Sequence, residues 1–167
     1  MGYSLGGWIG FGIAKVAPER VCSLIIGGAH PYESSVDERA TYDSSIKRWK
    51  KGIEAVIAAY KKENESKITP EMKAELTSND PKGIVALMSS EDFSLNLEDV
   101  LPTMKMPCLV YAGEADTIFY FNAEKCARSL RNATFVSLPG LGHREVCARA
   151  DIVLPHVTEF LRSVKQL

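Results

Sequence analysis

The sequence has no excess charge of either sign: 20 Lys and Arg stand against 21 Asp and Glu, leaving a formal charge of -1. Without a net field, nothing draws the chain to nucleic acid or to an anionic membrane surface, and neither is expected as a partner. Cysteine is scarce. Cys22, Cys108, Cys126 and Cys147 form no C-x-x-C pair and no cluster with histidine at metal-ligand spacing, which speaks against a zinc site and a disulfide framework. Buried free thiols, a reducing compartment and a cytoplasmic location are the expectations that follow. The longest apolar run near the N-terminus is broken by Lys15, Pro18, Glu19 and Arg20. It is therefore too short to span a bilayer, and no basic segment precedes it as in a secretory signal. Internal repeats and low-complexity tracts are absent too.

What is present has the ordinary usage of a globular chain, 46% apolar and 25% charged over 167 residues, enough for one compact domain. Residues 5–16 read as a helix with a mostly apolar surface (Leu5, Trp8, Ile9, Phe11, Ile13, Val16), stopped by Pro18. The run at 21–27 is short, continuously apolar and followed by glycine, the pattern of a strand buried on both faces of a parallel sheet. Runs at 107–113 and 133–140 repeat it, and helical patterns follow around 121–131 and 151–165. Strand-helix alternation of this kind predicts an α/β fold with a short parallel sheet of about three strands. Residues 30–105 differ: they are charged and helix-prone and read as an insertion, with one long amphipathic helix over 36–63 and shorter ones from Pro70 and around 82–90. The expected division is 1–29 with 106–167 as core and 30–105 as a helical cap.

The stretch Gly2-Tyr3-Ser4-Leu5-Gly6 fits Gly-x-Ser-x-Gly, in which a nucleophile sits on a sharp strand-to-helix turn that side chains at either glycine would obstruct. Three fixed positions in five recur often by chance, and the lesser alternative is a serine that serves as a turn or helix-capping residue. Its significance comes from possible partners. A serine hydroxyl needs a base, usually histidine, which needs a carboxylate to hold its tautomer. Asp116 lies just past the strand ending at Gly113, and His143 follows Gly140-Leu141-Gly142 after the next strand. Both fall at the carboxyl edge of the sheet, where such folds bind ligands. Glu114 competes with Asp116, which could also merely cap the following helix. Tyr3, His30, Trp49 and Phe119 are candidates to line a pocket; Trp8, Tyr120 and Phe121 read as core or pocket lining, and His156 as a surface residue.

The order Ser4, Asp116, His143 with these flanking motifs resembles the α/β-hydrolase family, in particular its small serine esterases and related hydrolases with a helical cap. The match runs over 1–30 and 106–167, and Ala17-Pro18-Glu19-Arg20-Val21 is similar to the family's link from elbow helix to next strand. The resemblance implies that Ser4 is the nucleophile, His143 the base, Asp116 its orienting acid and the Leu5 N–H an oxyanion-hole donor, with Gly2 and Gly6 as elbow glycines. It implies a small ester or acyl substrate, no cofactor and no metal. A serine at the elbow argues against haloalkane dehalogenation, for which the family uses a carboxylate there. The resemblance begins at the elbow, which in the family follows the fifth of eight strands and a loop with a second oxyanion donor. Two expectations follow: a weak or inactive truncated hydrolase is the alternative to an active enzyme, and the strand at 21–27, bare on one side, associates as a homodimer or domain-swapped oligomer.

Overall fold

Four short runs line up as one parallel sheet in the computed structural model, which describes residues 1–63, 70–90, 93 and 96–164. They are β1 (Gly2–Tyr3), β2 (Leu24–Gly27), β3 (Cys108–Gly113) and β4 (Ala133–Leu138), neighbours in chain order. The first connection is α1 (Leu5–Val16) and the last is α6 (Tyr120–Ser129), with α7 (His143–Ala148) and α8 (Ala150–Val164) after β4. Between β2 and β3 stand α2 (Val36–Lys50), α3 (Ile53–Glu63), α4 (Pro70–Ser78) and α5 (Pro81–Met88).

The period-two geometry of a strand sorts the apolar side chains into two cores. Leu24 and Ile26 of β2, with Cys108, Val110 and Ala112 of β3, share one cluster with Phe11 of α1 and Ala123 and Cys126 of α6. Ile25, Leu109 and Tyr111, one residue out of phase, share the other with Val146 of α7 and Val153, Val157 and Phe160 of α8. Helices thus cover both faces, and β2 and β3 are buried along their whole length, as continuously apolar parallel strands require.

The chain divides into two compact units, Met1–Glu33 with Asn96–Leu167, and Ser34–Leu95. Residues 30–33 and 96–105, read from the sequence as insertion, belong to the unit with the sheet. The 3₁₀ turn Glu98–Thr103 puts Val100 and Leu101 into that unit's core with Met104 behind them, and the Leu97 N–H donates to the Pro31 carbonyl at 2.6 Å. The second unit is helical. Ser35 starts α2 with a capping box: its hydroxyl accepts from the Glu38 N–H (3.1 Å) and the Glu38 carboxylate accepts from the Ser35 N–H (2.8 Å). Asp80 caps α5 by accepting from the Lys82 N–H.

Several expectations change. The long helix over 36–63 is two helices, because Gly52 takes φ +96°, a conformation that ends a helix and is open to glycine. The strand expected over 21–27 begins at Leu24, and the Val21 N–H closes the preceding turn onto Pro18 instead. The side of β2 expected to be bare carries β1, with Gly2 opposite Ile26 and Tyr3 opposite Gly27, so the sheet has four strands. Only Cys108 and Cys126 are buried; Cys22 and Cys147 are exposed. Phe121, expected in core or pocket, is exposed, and His156 on α8 is half-buried. The last helix is described over Ala150–Val164, and residue 165 of its expected range lies outside the described residues. Among the described residues no helix is long and apolar enough to cross a membrane.

Burial on α1 is one-sided: Phe11 is fully enclosed, whereas Val16 is 80% exposed. Phe11→Ala should lower the unfolding free energy by about 3–5 kcal/mol, and Val16→Ala should leave it within about 0.5 kcal/mol. Urea denaturation of the two variants checks both values.

Candidate active site

All four strands end at one edge of the sheet, and the turns leaving that edge carry Ser4, Asp116 and His143. Ser4 sits between β1 and α1 with φ 51° and ψ -117°, and among the described residues it is the one non-glycine with positive φ. Such a conformation costs about 1–3 kcal/mol and persists only where the surroundings impose it. Here the Ser4 N–H donates to the Gly27 carbonyl at 2.8 Å, and its own carbonyl accepts from the Trp8 N–H at 3.1 Å. A turn pinned from the neighbouring strand and from the first helical turn leaves the hydroxyl projecting from the sheet edge.

The two motif glycines differ in what they do. A Cβ on Gly2 would stand 2.1 Å from the Gly6 carbonyl oxygen, so a side chain there is incompatible with the turn. A Cβ on Gly6 would meet nothing within 4 Å. The second glycine the packing needs is Gly7, where a Cβ would lie 2.8 Å from that of Ala29 and 3.1 Å from a methyl of Ile26. Adjacent glycines in Gly6-Gly7 were the signal for it.

Asp116 is held by the turn after β3. Its N–H donates to the Gly113 carbonyl, and its Oδ1 accepts from the N–H groups of Phe119 (3.1 Å) and Ile118 (3.3 Å). Oδ1 thus serves the turn ahead of α6 (Tyr120–Ser129), whose N-cap is Phe119, and the other oxygen is left for histidine. Oδ2 faces the His143 Nδ1 at 2.7 Å, and the His143 Nε2 stands 3.0 Å from the Ser4 Oγ. Glu114 is turned elsewhere and accepts from the Ser137 hydroxyl at 2.7 Å. A carboxylate can only accept, so Nδ1 carries the imidazole proton and Nε2 is left to accept from the serine hydroxyl. The Asp116 side chain is 2% exposed and that of His143 is 27% exposed. The carboxylate is thus shielded from water, while the imidazole remains reachable.

His143 opens α7, a helix whose first turn is secured by the Glu145 carboxylate accepting from the Gly142 N–H. Sequence reasoning missed this six-residue helix, although Glu145 three residues after Gly142 is half of a capping box. Leu5, in the first turn of α1, has an N–H with no intrahelical acceptor, beside the Ser4 hydroxyl in sequence. Tyr3 and Phe119 flank the imidazole, with ring centroids 5.1 Å and 4.7 Å from that of His143. His30 is buried 5.9 Å from the Phe119 ring, with its Nε2 3.3 Å from the Asn122 amide. Trp49 belongs to the other unit, half-buried on α2. Among the described residues, no group of three His, Cys, Asp or Glu side chains gathers where it could hold a metal ion.

Comparison with solved structures gives the fold its class. The chain matches a thermophilic esterase from Thermogutta terrifontis at 22% identity and a TM-score of 0.74, covering 98% of this chain and 64% of that one. It matches MenH from S. aureus at 23% identity and a TM-score of 0.82, covering 98% and 67%. An enol-lactonase from Burkholderia xenovorans LB400 matches at 21% identity and a TM-score of 0.72, covering 96% and 64%. The fold is that of the α/β hydrolases, in part: the chain spans about two thirds of the length of these structures. No protein-family model and no curated protein matches the sequence.

The unequal glycines are open to direct test. Gly2→Ala should fail to give the native turn, seen as loss of the cooperative thermal transition. Gly6→Ala should melt at or above the parent temperature, since alanine is the better helix residue by about 0.5–1 kcal/mol.

Proposed function

We propose that the chain carries the catalytic machinery of a serine hydrolase that acts on carboxylic esters or related acyl compounds. The observation that carries this reading is the unbroken hydrogen-bond line from Asp116 through His143 to Ser4 on a strained strand-to-helix turn. In the reaction, the Ser4 Oγ attacks the substrate carbonyl carbon as its proton passes to the His143 Nε2. Asp116 holds the ring and stabilises the imidazolium, and the developing oxyanion takes a hydrogen bond from the Leu5 N–H. The leaving alcohol takes the proton from His143, and water activated by the same nitrogen then cleaves the acyl-Ser4 ester.

A second reading is a hydrolase fragment with weak or no turnover. It rests on the one oxyanion donor identified among the described residues, since lacking a second costs on the order of 10²–10³ in turnover.

Hydrolysis of p-nitrophenyl acetate and butyrate separates the two. The hydrolase reading expects turnover that Ser4→Ala abolishes and that Asp116→Asn lowers by up to about 10⁴, with Glu114→Gln unchanged. Equal rates for the parent protein and Ser4→Ala would contradict it and leave the fragment.

A further inference from the structure

The hydrolase reading gives Tyr3 no task, yet this side chain reaches the base. Its phenol O–H donates to the backbone carbonyl of His143, 140 residues away in sequence. Its ring stands beside the imidazole, at 5.1 Å between centroids, and beside the Tyr111 ring at 6.1 Å. Gly28, at φ +53°, leaves room for both partners: a Cβ there would lie 2.9 Å from the Tyr3 Cζ and 3.0 Å from the His143 Cε1. Burial pushes the Tyr3 phenol up, with Asp116 adding to the shift, so the hydroxyl stays a donor.

The segment that delivers the base needs such an anchor. His143 follows Gly140-Leu141-Gly142, with Gly140 at φ +70°, and glycines give a connection more freedom than other residues. The segment is also tied from the Ala115 N–H to the Leu141 carbonyl, from the Val146 N–H to the Gly142 carbonyl and from the Gly142 N–H to the Glu145 carboxylate. None of these bonds is made by residue 143 itself. We infer that Tyr3 is a positioning residue, whose phenol fixes the backbone of His143 so that the imidazole stays between Asp116 and Ser4. Adjacent residues of one turn then hold both ends of the pair, Ser4 supplying the hydroxyl and Tyr3 placing the nitrogen that receives its proton. This inference rests on the hydrolase reading for its catalytic consequence, though not for the contact.

The test is Tyr3→Phe, which keeps the ring and removes the donor, with Tyr111→Phe as the control for losing a nearby buried hydroxyl. The readout is the far-downfield proton resonance of the Asp116–His143 hydrogen bond, in the parent protein, in both variants and in Ser4→Ala, with a thermal melt to establish folding. The expected result is a resonance that persists in Ser4→Ala and Tyr111→Phe but broadens beyond detection in folded Tyr3→Phe. On p-nitrophenyl butyrate, Tyr3→Phe should then lower kcat by about 10- to 100-fold with KM unchanged, the scale of a misplaced catalytic group. An unchanged resonance in Tyr3→Phe overturns the inference whatever the turnover. Absence of any Ser4-dependent turnover, with the resonance still sensitive to Tyr3, would sink the hydrolase reading and leave the positioning contact standing.

Discussion

The site depends on one hydrogen bond, from the Ser4 N–H to the Gly27 carbonyl. It ties the turn after a two-residue strand to the end of β2, and it helps hold serine in a left-handed backbone conformation that it seldom adopts. Gly2 makes the turn sterically possible, since its missing Cβ leaves space for the Gly6 carbonyl. Released from that tie, the turn would relax toward ordinary backbone angles and carry the hydroxyl away from His143. The strain is thus maintained by the sheet, and the sheet is maintained by the two cores on its faces.

From the turn outward, each polar group has a partner that leaves the next one correctly disposed. Two backbone N–H groups occupy the Asp116 Oδ1, which leaves Oδ2 for Nδ1. That contact fixes the proton on Nδ1 and frees Nε2 for the hydroxyl. Parallel strands make the arrangement economical, because every strand ends at the same edge and the loops after β1, β3 and β4 can converge. None of the three side chains is near another in sequence.

Much of this was legible beforehand because its signals are local. Continuous apolar runs ending in glycine marked β2 and β3, a more mixed run before Gly140 marked β4, and Gly-x-Ser-x-Gly with an aspartate and a histidine past later strands pointed to the three side chains. What escaped depended on contacts that sequence does not display. Gly6 reads as an elbow glycine by its motif position, but space opens around it and Gly7 meets Ala29 and Ile26 instead. An amphipathic pattern runs smoothly across Gly52, and only its backbone angle divides α2 from α3. The choice between Glu114 and Asp116 could be argued only from resemblance; in three dimensions Asp116 faces the imidazole and Glu114 accepts from Ser137. Tyr3 was read as pocket lining, because nothing in Gly-Tyr-Ser announces a bond to residue 143.

The central claim is that His143 activates Ser4 as a nucleophile. Intact-mass and peptide-mass spectrometry after exposure to a fluorophosphonate measure this without knowledge of the natural substrate. The account predicts a single covalent adduct on the peptide carrying Ser4, absent in Ser4→Ala and formed far more slowly in His143→Ala. No adduct, or one that forms equally fast without the imidazole, would contradict it.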